Sequence, residues 1–170
     1  RDGLRGFDLR PGSGRFVGDQ RGFEADDRVL QLQLPLLQAL DGQFAPVEPI
    51  AAVQAGVTGE PVRWGGRIVS VQPQAQYSCF EIVGVRLGAD GRPLAQDQSS
   101  GRFLACREGF YEPEIFQPGR EVTIAGRIDG FETRKVGDYD YRYPRVAADV
   151  VYLWPERRDV DVIVERYPFW

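Results

Sequence analysis

Chemistry in this chain would have to come from a short list of side chains. Two cysteines (Cys79, Cys106), three tyrosines in strand phase (Tyr139, Tyr141, Tyr143) and two close acid pairs (Glu112/Glu114, Asp138/Asp140) are the candidates. The 170 residues include no histidine, which removes the usual general base near neutral pH and the commonest metal ligand. Two thiols without imidazole make an incomplete metal site, and neither has a base to activate it as a nucleophile. Paired carboxylates hydrolyse glycosides when they face each other across a cleft. Both pairs here fall in turn-like, solvated segments, where acids serve helix ends and solubility. No catalytic residue, metal ligand or cofactor site is assigned, no cofactor is expected, and the chain reads as a non-enzyme.

Recognition is better served than catalysis. Tyr139, Tyr141 and Tyr143, followed by Pro144, form a stripe that can stack on sugars or bases. The competing reading is that two of the three cover the open end of a barrel or pack on a helical turn. Trp64, beside Gly65-Gly66, offers an aromatic platform, although a Trp before a strand bend more often plugs a core. Arginines at 102, 107, 120, 127, 142 and 145 recur on several strands, with acids at 108, 121, 138 and 140 close enough to pair with them at the surface. The candidate interaction face is therefore Trp64, Tyr139, Tyr141, Arg142 and Tyr143.

These side chains need strands to position them. Val62, Trp64, Gly66 and Ile68 fall on one face of a strand that begins near Glu60, and Arg63, Arg67 and Val69 on the other. Gly65-Gly66 in mid-strand marks a sharp bend or bulge that lets the strand pair with two neighbours. Residues 76–87 and 102–108 read as the next strands, with Asp90-Gly91 and Pro93 in the turn region between them. Glu112 to Gln117 reads as one helical turn. Residues 121–128 alternate Val122, Ile124, Gly126 and Ile128, and residues 143–153 place Val146, Ala148, Val150 and Tyr152 in phase.

A bent strand, two strands, a helical turn and two more strands is the order of an OB-type barrel. The expected fold is thus all-β: a small, closed or partly open OB-like barrel over residues 60–155. An N-terminal tether and docking extension covers 1–59, and a C-terminal extension with an added edge strand covers 156–170. In the N-terminal part, Leu30, Leu32 and Leu34 alternate like a short strand, while Pro35 to Leu40 and Pro49 to Gly56 carry the Pro-start, Gly-stop pattern of short helices. Residues 1–27 read as a flexible tether. If the second and third strands form a hairpin with its tip near Arg92-Pro93, Cys79 faces Cys106 across it, within disulfide reach. The alternative is two small buried hydrophobes that never bond.

Composition narrows the partners. Residues 1–59 carry six basic and eight acidic groups, 60–155 twelve and thirteen, and 156–170 three and four. No segment is basic, so nucleic-acid binding is not expected. No apolar run approaches the ~20 residues that a spanning helix needs. The absence of Met is read as the sign of a processed or truncated product whose export signal has been removed.

The phrases Pro61-Val-Arg-Trp-Gly-Gly66, Gly91-Arg-Pro-Leu94, Ser100-Gly-Arg-Phe103, Pro118 to Gly126, Tyr139 to Pro144 and Tyr152-Leu-Trp-Pro155 occur in that order. Together they resemble the Slp family of Gram-negative outer-membrane lipoproteins. The resemblance implies an address more than an activity: the outer membrane, facing the periplasm, with a lipid anchor on a cysteine upstream of Arg1. It also implies an envelope protein partner and a structural or protein-interaction role. A barrel binding a saccharide or small anion on its aromatic and arginine face is the alternative. An exported address favours the Cys79–Cys106 bridge.

Overall fold

The computed structural model describes residues 34–157. The tether over 1–27 and the C-terminal edge strand lie outside the described residues. Five strands are present: β1 Pro61–Pro73, β2 Tyr77–Val85, β3 Gly101–Glu108, β4 Glu121–Val136 and β5 Tyr139–Leu153. They close into a barrel in the order β1-β2-β3-β5-β4, all neighbours antiparallel except β3 and β5. That is the order expected of an OB-type barrel.

Closure depends on β1 serving two neighbours at once. Gly65, Gly66 and Arg67 pair with Val85, Gly84 and Val83 of β2 and also with Thr123, Val122 and Glu121 of β4. The register slips between Ile68 and Ser70 on β1, and twice along β4 against β5. Each slip bends its strand and raises the local twist, which is how so few strands can curl shut. The last seam is narrow: β3 and β5 pair only at Leu104, Ala105 and Cys106 with Arg145, Val146 and Ala147.

The interior is filled. Phe80, Ile82, Phe103, Ala105, Val122, Ile124, Ile128 and Val146 are fully enclosed, joined by Val62, Trp64 and Ile68 from β1. Between β3 and β4 the chain makes the expected single helical turn, Phe116 N–H donating to Glu112 O at 3.0 Å. It carries Tyr111 and Phe116 edge-to-face onto Phe80.

One strand phase differs from expectation. Val146 and Ala148 face the interior, but Val150 and Tyr152 do not continue their row. Gly126 pairs with Ala148 and Ala125 with Val150, so Asp149 is an extra residue on β5. A one-residue slip moves every following side chain to the other face. Val151 therefore joins the interior, while Val150 and Tyr152 enter a second cluster with Leu40, Ala125 and Trp154.

Part of the N-terminal region covers that second cluster. Helix α1 occupies residues 34–39, so Leu34 is helical and no strand includes it. Leu37 and Phe44 pack on the cluster beside the buried Leu40. Helix α2, Pro49–Ala55, starts on Pro49 and ends on Gly56 at φ 65°, as its sequence signals imply. Its Ala52 is fully buried in the barrel core.

The β4–β5 hairpin is longer than its apolar pattern indicates. Fourteen cross-strand pairs run from Val122–Leu153 to Val136–Tyr139, and the last of them form an arm beyond the barrel. Gly137 at φ 59° opens the tight turn that joins the two strands.

Candidate functional site

The arm and the barrel wall together position the tyrosines. Tyr139, Tyr141 and Tyr143 form a ladder with ring centroids 6.4 and 4.8 Å apart, but their surroundings differ sharply. Tyr139 is 70% exposed, Tyr141 half-buried and Tyr143 buried. Tyr143 donates its hydroxyl to Glu81 Oε1 at 2.8 Å, and Arg102 Nη1 donates to the same oxygen at 2.7 Å. Tyr141 does the opposite: its hydroxyl accepts the Arg102 backbone N–H at 2.9 Å. That N–H lies just short of the three-residue β3–β5 seam, so a phenol completes the edge that the backbone of β5 leaves open.

Burial, and then the bond to the Glu81 carboxylate, push the Tyr143 phenol up to about 12. Burial acts to lower Arg102, but its hydrogen bond to Glu81 prevails and raises it. A proton held more tightly in the folded than in the unfolded chain stabilises the fold fully below the ordinary phenol value of about 10. That contribution is lost as pH rises from about 10 to about 12, and it amounts to roughly 2 kcal/mol. Tyr143→Phe is expected to lose about 1–2 kcal/mol at neutral pH, because Glu81 keeps only one of its two donors. The gap between wild type and variant should close across the same alkaline window in urea titrations. A gap that widens with pH would contradict the assignment.

Arg142 does not share the tyrosine row. Its guanidinium lies 4.6 Å from the centre of the Phe131 ring. It does border a groove of about 220 Å³ where Ile50, Val53 and Gln54 of α2 face Tyr139 and Tyr141 of the arm. Trp64 is absent from this face. It is 6% exposed, packs edge-on against Phe103 at 5.3 Å and donates Nε1–H to Val47 O at 2.7 Å, which makes it a core plug. The structure thus brings together Tyr139, Tyr141 and Arg142, encloses Tyr143 beneath them and places Trp64 elsewhere.

The six arginines singled out by sequence do not converge. Arg102 pairs with Glu81 and Arg145 with Asp129, while Arg107 donates to Asp149 O and Arg127 to Gly59 O. The acid pairs also have local roles: Glu112 Oε1 accepts the Glu114 N–H at 3.3 Å, and Asp140 pairs with Lys135 at 2.8 Å. Among the described residues no three His, Cys, Asp or Glu side chains form a metal-type group. Cys79 and Cys106 are direct cross-strand partners and are joined by a disulfide.

A second constellation escaped the sequence reading. Thr123 donates its hydroxyl to Gly91 O at 2.7 Å and accepts Trp154 Nε1–H at 2.8 Å. Arg92 lies 5.5 Å from the centre of the Trp154 ring and pairs with Glu121 at 2.7 Å. Gly65 abuts the same place, since a Cβ there would sit 3.1 Å from Thr123 Oγ1. Four of the quoted phrases thus meet at one point: Trp-Gly-Gly, Gly-Arg-Pro, the Pro-Gly-Arg strand and Leu-Trp-Pro. Their occurrence in this order, which carries the family resemblance, was the available signal, and only the fold shows that they touch.

Five strands in this order around a filled apolar interior define an OB-type barrel. By its match to the outer membrane lipoprotein Slp family over residues 35–170, the chain belongs to that family. The match extends beyond Pro61–Pro155 into both flanking regions. A Haemophilus influenzae protein called uncharacterized is 35% identical over 94 residues, covering 55% of this chain and 51% of its own. The lipoprotein YeaY of Escherichia coli K12, also called uncharacterized, is 36% identical over 85 residues, covering 50% and 44%. The outer membrane protein Slp of the same organism is 26% identical over 112 residues, covering 66% and 57%. The chain spans about half the length of the curated relatives it matches. No helix among the described residues is long and apolar enough to cross a membrane.

Proposed function

We propose that this member of an outer-membrane lipoprotein family is held by a lipid anchor on the periplasmic side and acts as a structural or protein-interaction module. Its contact face is the groove between α2 and the β4–β5 arm. The observation that carries this reading is the pairing of exposed apolar surface there with a filled barrel interior. Ile50 is 49% and Tyr139 70% exposed on the two walls of one groove, whereas Phe80, Ile82 and Phe103 leave the barrel no lumen. Tyrosine gives a large amphipathic contact with few rotamers to immobilise, which suits a protein partner. Saccharide capture fits less well, because about 220 Å³ is below the ~300–1,000 Å³ of pockets that enclose small ligands.

Photo-crosslinking in cells expressing the full gene tests this. A crosslinking residue at position 139 is expected to give one protein adduct of defined mass in the outer-membrane fraction. The same residue at position 133, on the opposite face of the arm, is expected to give none, and Ile50→Asp should abolish the adduct at 139. Failure to form it, or identical adducts at both positions, would remove the interaction reading and leave the ligand-binding barrel in its place.

A further inference from the structure

A second set of arginines, sharing only Arg120 with the first, gathers where these phrases meet. Arg67 on β1, Arg92 after β2, Arg120 before β4 and Arg157 after β5 line a groove of about 200 Å³, with Glu121 and Glu156 as its acids. Among the described residues, four guanidinium groups against two carboxylates leave two positive charges in excess. Glu121 is occupied by Arg92 at 2.7 Å on one oxygen and by Arg157 at 3.0 Å on the other. Glu156 approaches Arg120 at 3.8 Å with a side chain 76% exposed, a contact of little strength in water.

The Arg92–Glu121–Arg157 array keeps one of these charges, and Arg67 and Arg120 against Glu156 supply the other, as the two guanidinium groups that no carboxylate holds closely. Among the described residues, the hydrogen bond of the Arg67 side chain is a long one of 3.4 Å to Gln96 O. Arg120 donates through Nη2 to Trp154 O at 3.0 Å and through Nη1 to Ile115 O at 3.4 Å, while its buried Nε has no acceptor. Backbone bonds hold the two in fixed relation: Ile68 N–H donates to Arg120 O at 3.0 Å and Gly119 N–H to Ile68 O at 2.8 Å.

We propose that this groove binds a phosphomonoester group, held by Arg67 and Arg120, with the Arg92–Glu121–Arg157 array setting the charge around it. A phosphomonoester carries close to two negative charges at neutral pH, which matches the excess, whereas a carboxylate carries one. Guanidinium forks bind phosphate through parallel N–H···O bonds. At about 200 Å³ the groove holds the phosphate group and leaves the rest of its bearer outside. Inorganic phosphate and a phosphomonoester lipid headgroup present the same chemistry. The site is separate from the tyrosine groove and needs no lipid anchor, so it stands or falls independently of the interaction reading.

Two probes applied to the full 170-residue chain decide it. Inorganic phosphate is titrated by calorimetry, and phosphatidylcholine vesicles with or without phosphatidic acid are floated with the protein. Saturable phosphate binding without vesicle preference assigns a free anion, and flotation only with phosphatidic acid assigns a headgroup. In either case Arg67→Gln, at an exposed position, should weaken binding about tenfold. Arg134→Gln, paired with Glu132 outside the groove, should leave it unchanged. Thermal melting of both variants checks that they fold. No saturation up to about 10 mM phosphate together with no flotation, or binding indifferent to Arg67→Gln, overturns the proposal.

Discussion

Gly66→Ala is expected to prevent the barrel from closing, with a loss of about 3 kcal/mol or more that leaves little of a small domain's stability. The reason is close approach: a Cβ at residue 66 would lie 1.9 Å from Val83 O and 2.7 Å from Val83 C. Both obstacles are backbone, so no rotamer change relieves them. Residue 66 also pairs with Gly84 on one side and Val122 on the other, and β1 cannot move from one neighbour without moving into the other. Urea unfolding of the purified variant, with near-ultraviolet circular dichroism as the reporter of Trp64 and Phe103 packing, measures the effect. A variant within about 1 kcal/mol of wild type would show that β1 does not hold both neighbours at this point.

The second large effect concerns the bridge between Cys79 and Cys106, which closes a loop of sequence separation 27. In the chain-entropy account that closure contributes about 3 kcal/mol, so the double change Cys79→Ser, Cys106→Ser should lower stability by about that amount. The effect should be greatest at the barrel's narrow seam. Cys106 is one of the three β3 residues that pair with β5, opposite Ala147, and the bridge ties that strand to β2 on its other side. Amide exchange at residues 104–106 should therefore accelerate more in the double variant than exchange within the broad β4–β5 ladder. Thiol counting under denaturing, non-reducing conditions is the prior check. Two free thiols in oxidised material would mean that the bridge does not form in the protein, and the expected loss would vanish with it.

The barrel was legible in sequence because its strands bury one face. Val122, Ile124, Gly126 and Ile128 keep strand period, and all four are buried, although Thr123 and Ala125 between them are buried too, Ala125 in the second cluster. Gly65-Gly66 marked where one strand serves two neighbours, although the register slip falls just after it, between Ile68 and Ser70, and the facing of Cys79 by Cys106 followed from strand period and turn position alone. The arm was not legible. Residues 129–136 are Asp-Gly-Phe-Glu-Thr-Arg-Lys-Val, and this half of the hairpin has no apolar alternation to show, although Tyr139, Tyr141 and Tyr143 keep strand phase opposite it. The slip at Asp149 was hidden for a related reason. Val146, Ala148, Val150 and Tyr152 keep perfect period in sequence, but an inserted bulge residue is a property of the partner strand's register.

The sites divide along the same line. Residue types alone determined that the chain has no imidazole chemistry, and ordered short phrases carried the resemblance to one lipoprotein family, while Trp64 was open to both a core and a surface reading until the structure buried it. Which tyrosine is reachable was decided by tertiary structure, because Tyr139, Tyr141 and Tyr143 share one strand face and differ only in what α2, β2 and β3 place over them. The arginine groove was decided there too. Arg67, Arg92, Arg120 and Arg157 come from four separate segments, and all but Arg67 have an acid within two residues that could have neutralised them locally. Periodicity reports the face on which a side chain lies. Whether faces from distant segments meet, and with what net charge, is set by barrel closure and register, to which local spacing carries no information.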